Sequence, residues 1–250
     1  MIIYLFILFL LGIDTIIESK VIYHEFIFVF NITCMMYYLL FFILNKYVQS
    51  FNKIDPDHKK MYVVKNYIKS FFLAGLCFMI PHYFKLFDGQ IDLLFIKRCV
   101  IYYIMNDIIG LLLVKKLPTT TIIHHITTSL CGLAIMIKQS NSIDILTLVV
   151  LYAIFSSLAF CVNFYLGYRI YSKNVVIKYY LSGLSYWVYL LCCIFNWLLQ
   201  TYLIVLIINT VPILHIILYF VFIYSVVRDD IILMKWLYCD HYYYKNLLKK

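Results

Sequence analysis

The chain alternates between long apolar runs and short charged interruptions, and most runs have the length of a membrane crossing. About 20 apolar residues in a helix, at 1.5 Å each, cover the ~30 Å hydrocarbon core of a bilayer. Such runs fall at roughly 2–17, 24–44, 69–87, 93–114, 120–137, 143–166, 177–199 and 202–225. The first is short and ends in Asp14 and Glu18. It lacks the basic start and small-residue cleavage site of a secretory signal, so it reads as a retained helix. Only Gln200 and Thr201 separate the last two runs, which predicts a tight hairpin there. The expected fold is all-α, a polytopic membrane helical bundle of seven or eight spans.

Composition supports this class. Apolar residues make up 65% of the 250, against roughly 45–50% in soluble domains. Mean hydropathy is +0.91. Eight crossings with loops use up the chain and leave no room for a soluble domain. The formal charge of +9 would suggest a nucleic-acid partner in a soluble protein, but no stretch resembles a nucleic-acid module. Basic loops are instead what the cytosolic side of a membrane protein carries. Lys46, Lys53, Lys59, Lys60, Lys65 and Lys69 separate the second and third runs; Lys115 and Lys116 follow the fourth. Arg169, Lys173 and Lys178 lie between the sixth and seventh, and Arg228, Lys235, Lys245, Lys249 and Lys250 end the chain. Eight crossings put all of these on one side and both termini in the cytosol. The other loops are poorer in Lys and Arg, with Lys20, Glu25, Lys85, Asp88, Asp92, Lys138 and Asp144 among their charges. Lys97 and Arg98 fall at the non-cytosolic end of the fourth run and are expected to snorkel. The eight cysteines form no CxxC pair and read as soft packing residues.

The candidate chemistry lies in the membrane. His124 and His125 are adjacent within TIIHHITTSLCGLAIMI, and Asp107 occupies the preceding run. An ionisable group at bilayer depth costs about 3 kcal/mol or more unless it is paired or lines a polar cavity. The helical rise puts Asp107 and both histidines roughly 8–10 Å inside the cytosolic ends of their helices. Asn163, Ser182, Ser185 and Tyr186 reach a similar level on the next two. Adjacent residues point about 100° apart, so both histidines face one cavity only if neighbours wrap their helix. A carboxylate at hydrogen-bond distance would fix an imidazole tautomer and raise its basicity. The competing reading is that these groups join helices by hydrogen bonds worth about 0.6–2 kcal/mol each. His215, in PILHIILYF, is placed to line the cavity or to pack. His82 is near the opposite face, and His24, His58 and His241 fall in loops or at interfaces. An HH pair with no spaced third ligand is a poor zinc signature, so no metal is expected.

The run IYYIMNDIIGLLL, the link KKLPTT, then TIIHHITTSLCGL and a helix ending SSLAFCVNFYLGYR resembles a TLC domain over roughly residues 60–225. That domain is the membrane barrel, of six to eight transmembrane helices, shared by ceramide synthases and smaller lipid-homeostasis proteins. The resemblance implies an N-terminal hairpin and cytosolic loop at 1–59, a membrane domain at 60–225 and a cytosolic tail at 226–250. It also implies residence in the endoplasmic reticulum. Carried over from the synthases, His124 and His125 would be bases or acyl acceptors, with Asp107 in support and acyl-CoA as co-substrate. Synthases add a second acidic cluster downstream, whereas the corresponding helix here, LYAIFSSLAFCVNFYLGYR, has no acid. Ser156, Ser157 and Asn163 keep the SS…N pattern of the smaller branch, which this chain resembles more closely. Three functions follow as alternatives. One is a protein that binds or handles lipid or acyl chains through Asn163, Ser156, Ser157, Ser185, Tyr186 and His215. The second is an acyl-CoA-dependent acyltransferase, and the third a non-catalytic trafficking or channel-like protein.

Overall fold

A computed structural model describes residues 20–83, 92–138 and 145–249, which are helical throughout with short turns and no strand. The first apolar run, with Asp14 and Glu18, and the loop residues Lys85, Asp88 and Asp144 lie outside the described residues. Eight helices carry the fold: α1 Lys20–Tyr47, α2 Asp57–Cys77, α3 Leu93–Leu113, α4 Thr119–Ile137, α5 Ile145–Ser156, α6 Phe160–Tyr171, α7 Val175–Ile207 and α8 Ile213–Leu247. Sequence punctuation explains their starts. Prolines 56, 118 and 212 immediately precede α2, α4 and α8, where a missing N–H costs nothing. Asp92 and Asn174 cap α3 and α7 by accepting from Phe95 N and Ile177 N at 3.0 Å.

The helix pairings close a ring: α2 packs on α6, α6 on α7, α7 on α8, α8 on α4, α4 on α3, and α3 back on α2. α1 lies against the outside of α2 and α3. α5 contacts five of the six ring helices and fills one end of the ring. Its sequence, ILTLVVLYAIFS, is apolar on every side, as an enclosed helix must be. A three-residue 3-10 segment, Ser157–Ala159, joins α5 to α6 and bends the rod. The carbonyls loosened by that bend find partners on neighbouring helices. Asn196 donates to Tyr152 O (3.3 Å), Cys192 to Phe155 O (2.9 Å), Ser70 to Phe160 O (2.9 Å) and Ser185 to Cys161 O (3.3 Å).

Among the described residues, four segments are long and apolar enough to cross a membrane: Lys20–Tyr47, Thr119–Ile137, Ile145–Tyr171 and Val175–Ile207. The outer faces are apolar as well. Phe28, Met35, Leu39 and Phe42 form an exposed stripe on α1, and Leu184, Trp187, Leu191, Leu198, Tyr202 and Val205 form one on α7. Stripes of this length suit a hydrocarbon environment.

Two expectations change. No hairpin forms at Gln200–Thr201, because α7 continues to Ile207 and the chain turns between Ile208 and Pro212. Gln200 is buried in mid-helix, accepting from Tyr219 Oη on α8 at 2.6 Å and donating to Leu148 O on α5 at 3.1 Å. The third rod starts at Asp57 rather than near 69, so Lys60, Lys65 and Lys69 are helical residues, not loop charges. Arg98 is exposed at the start of α3, and its Nε lies 2.9 and 3.0 Å from the two carboxylate oxygens of Glu25 on α1. Residues 226–247 continue α8 as an unbroken helix.

Candidate functional site in a helix-enclosed cavity

The ring encloses a cavity of about 360 Å³. Its deep walls are apolar, from Leu73, Val100, Ile104, Ile135, Val149 and Val150. Exposed Pro118 belongs to the lining, so the cavity opens at the end where α2 and α4 begin and α3 and α6 finish. α5 fills the other end. Between mouth and floor runs a layer of charged groups.

Two close helix approaches build that layer. A Cβ on Gly132 of α4 would meet Ile104 Cγ2 of α3 at 2.5 Å, so glycine lets these two helices touch. A Cβ on Gly110 would come within 3.0 Å of Lys65 Cε, so the Lys65 stem lies across α3 in the space this glycine leaves. Lys65 reaches α4 by that route.

Asp107 is fully buried and takes three neighbours. Its Oδ1 accepts from Lys69 Nζ at 2.6 Å and lies 3.1 Å from His125 Nδ1, while its Oδ2 accepts from Thr128 Oγ1 at 3.1 Å. Lys65 Nζ lies 2.7 Å from His125 Nε2. When Lys65 is an ammonium it can only donate, so Nε2 accepts and the ring proton is on Nδ1, toward Asp107. Lys65, His125, Asp107 and Lys69 thus form one chain, with Lys65 and Lys69 only 4% and 7% exposed. Tyr103 adds its ring face, 4.3 Å from Lys69 Nζ.

His124 turns the other way. Its ring centroid is 5.6 Å from that of His125 at an interplanar angle of 74°, and Nδ1 lies 3.6 Å from Asp229 Oδ2 on α8. Both histidines line the cavity. The adjacent α8 residue, Asp230, is buried and accepts from Tyr152 of α5 and from Tyr189 of α7, the latter at 2.7 Å. Toward the mouth, the Arg169 guanidinium stacks 4.1 Å over the Trp236 ring, and its Nε is buried without a hydrogen-bond partner.

No family model, curated protein or solved structure matches this chain. Function has to be argued from these residues and their geometry.

Of the residues singled out by sequence, Asp107, His124 and His125 converge, and Ser156 and Asn163 line the same cavity. Ser157 is fully buried against Cys77 (3.5 Å), and Ser185 is buried where it serves the Cys161 carbonyl. Tyr186 packs beside Tyr238, with ring centroids 5.5 Å apart, and His215 is exposed on the outer side of α8 next to buried Ile216. Those four stand away from the cavity lining. Lys65, Lys69, Arg169, Asp229 and Asp230 belong to the layer although sequence reading gave them to loops and tail. Their signal was spacing: Lys65 and Lys69 are four residues apart, hence on one helical face.

Asp107, His124 and His125 offer ligand atoms that all lie within 4.8 Å of one another, close enough for a single cation. Lys69 Nζ already holds the carboxylate at 2.6 Å and Lys65 Nζ already engages His125 Nε2 at 2.7 Å, so two of the three donor groups are taken. The donors are engaged as an internal ion network.

Proposed function

We propose that the chain is a multi-pass membrane protein that takes up an acyl lipid in this cavity and thereby affects membrane lipid composition. The observation that carries the reading is the cavity itself, apolar in its depth, charged at one level and open at one end. An amphiphile has the complementary division: its chain fits along Val100, Ile104, Val149 and Val150, and its head meets Lys65, His124 and Arg169. A volume of 360 Å³ is at the lower end of the ~300–1,000 Å³ of ligand pockets, which suits a single aliphatic chain. The TLC-like sequence pattern around Asp107 and His124–His125 supports the same assignment, with both termini cytosolic and residence in the endoplasmic reticulum.

The test is mass spectrometry of lipids retained by the protein purified in nanodiscs. Val150→Trp, which fills the apolar wall, is expected to remove the retained lipid, while the exposed-face change Leu191→Trp leaves it. Retention unchanged in Val150→Trp refutes the cavity as the binding place.

A second reading is favoured by His124, which lines the cavity with its Nδ1 3.6 Å from Asp229 Oδ2, an imidazole and a carboxylate close together at the cavity wall. It is acyl transfer from acyl-CoA to an amine or hydroxyl lipid. Labelled acyl-CoA with a panel of acceptors gives product that disappears in His124→Ala/His125→Ala; absence of product with every acceptor refutes it.

A further inference from the structure

Lys65 is placed to meet a lipid head, but its contact with a histidine in place of an acid is more than charge recognition needs. It is an amine at the cavity wall, buried to 4% exposure, and no carboxylate holds it. Asp107, the nearest acid in the network, gives its oxygens to Lys69 and Thr128. The partner at hydrogen-bond distance is an imidazole nitrogen, His125 Nε2 at 2.7 Å, and that ring faces Asp107 through Nδ1 at 3.1 Å. A nucleophile touching a base that is oriented by a third group is the arrangement by which proteins activate weak nucleophiles. Here the nucleophile is an amine. An amine attacks from its neutral form, and His125 Nε2 at 2.7 Å is where its proton can go.

We propose that Lys65 captures the carbonyl of a long-chain aliphatic aldehyde as an imine inside the cavity, with His125 and Asp107 as positioning residues that move its proton. The inference rests on the cavity being an acyl-lipid site and names the ligand class there. The Lys65 nitrogen attacks the carbonyl carbon; the new C–N bond forms as the C=O π pair moves to oxygen. His125 Nε2 takes one proton from the nitrogen, becoming an imidazolium stabilised by the Asp107 carboxylate, and gives it to the alkoxide, which makes the neutral carbinolamine. The nitrogen lone pair then forms C=N as the C–O bond breaks, and His125 passes the second amine proton to the departing hydroxyl, so water leaves with both amine hydrogens. No oxidant or reductant is needed. The aliphatic chain would lie against Val100, Ile104 and Val150. Lys69 cannot substitute for Lys65, because its ammonium is held by Asp107 at 2.6 Å.

The experiment treats the full chain in nanodiscs with an equimolar amount of hexadecanal and sodium cyanoborohydride, which reduces an imine to a stable secondary amine, and maps the alkylated lysines by peptide mass spectrometry. The expected result is alkylation of Lys65 at least about ten-fold above Lys69 or the exposed Lys115 and Lys116, with His125→Ala lowering it by about 10²-fold, the lower range for a general base. Added imidazole restores labelling in His125→Ala, which a merely structural histidine would not allow. Labelling spread evenly over the lysines, or labelling unaffected by His125→Ala, overturns the proposal. The two readings fail separately. If the protein retains lipid and Val150→Trp releases it, yet Lys65 stays unlabelled, the imine is wrong and the cavity stands. If Val150→Trp changes neither retained lipid nor Lys65 labelling, the cavity reading falls and the imine proposal with it.

Discussion

Asp107→Asn should be among the most damaging single substitutions in the chain. The side chain is fully buried, and its carboxylate is the counter-charge of the Lys69 ammonium, 2.6 Å away and 7% exposed. The amide keeps the shape and loses the charge. Removing one partner of a buried ion pair costs about 3–5 kcal/mol, because the other charge is stranded. At ~2–4 °C per kcal/mol for a chain of this size, thermal unfolding in nanodiscs should fall by roughly 6–20 °C. The double variant Asp107→Leu/Lys69→Met separates charge from packing. Replacing a whole buried pair by apolar residues is commonly neutral or stabilising, so most of the loss should return. It should not return completely. Thr128 still has the His124 and His125 carbonyls at 3.0 and 3.2 Å, but His125 Nδ1 would face carbon, at a cost of about 1–3 kcal/mol. A single variant melting within about 2 °C of the unmodified protein would refute the ion network as a source of stability. A double variant no better than the single one would assign the loss to packing.

Other changes test other parts of the argument. Gly132→Ala puts a methyl 2.5 Å from Ile104 Cγ2, a branch close to the backbone that cannot swing away, and should cost about 1–3 kcal/mol by thermal melting; an unchanged melting temperature would mean that α3 and α4 do not meet there. His215→Ala should stay within about 0.5 kcal/mol of the unmodified protein and retain its lipid, since the ring is exposed on the outer face of α8. Loss of lipid would put His215 back among the cavity residues.

The positions of most rods were legible in the sequence because hydrophobic length is a local property. The apolar runs at 24–44, 93–114 and 120–137 reappear, within a few residues, as α1, α3 and α4. The hairpin expected at Gln200–Thr201 failed because two adjacent polar residues look the same in a turn and in a helix. Gln200 is paid for by Tyr219 and the Leu148 carbonyl, which belong to other helices and leave no trace in the local pattern. Depth was legible too: 1.5 Å per residue brings Asp107 and the histidines to one level, and they meet. Azimuth was harder. Ser185 and Ser156 both lie near the bend in the α5–α6 rod, yet Ser156 lines the cavity while Ser185 packs under a carbonyl.

The lysines of α2 show why the most informative residues were the hardest to place. Six lysines between 46 and 69 lower hydropathy enough to make the segment read as a cytosolic loop, the correct inference if each one faces water. In the folded chain α2 is ringed by α1, α3 and α6, and its polar face turns inward to the cavity. A lysine at that position needs something to meet its charge, and the chain meets it with Asp107 for Lys69 and with an imidazole for Lys65. The two solutions are chemically different. An ion pair holds its proton and its geometry, while an imidazole can take the proton and return it. Lys69 is therefore part of the scaffold, and Lys65, four residues away on the same face, is the amine left free to react. Substituting each by methionine should separate these roles. Lys69→Met leaves Asp107 short of its strongest partner and lowers the melting temperature, whereas Lys65→Met removes no ion pair and should change stability far less while abolishing aldehyde capture. Equal destabilisation by the two variants would mean that Lys65 is held by charge after all.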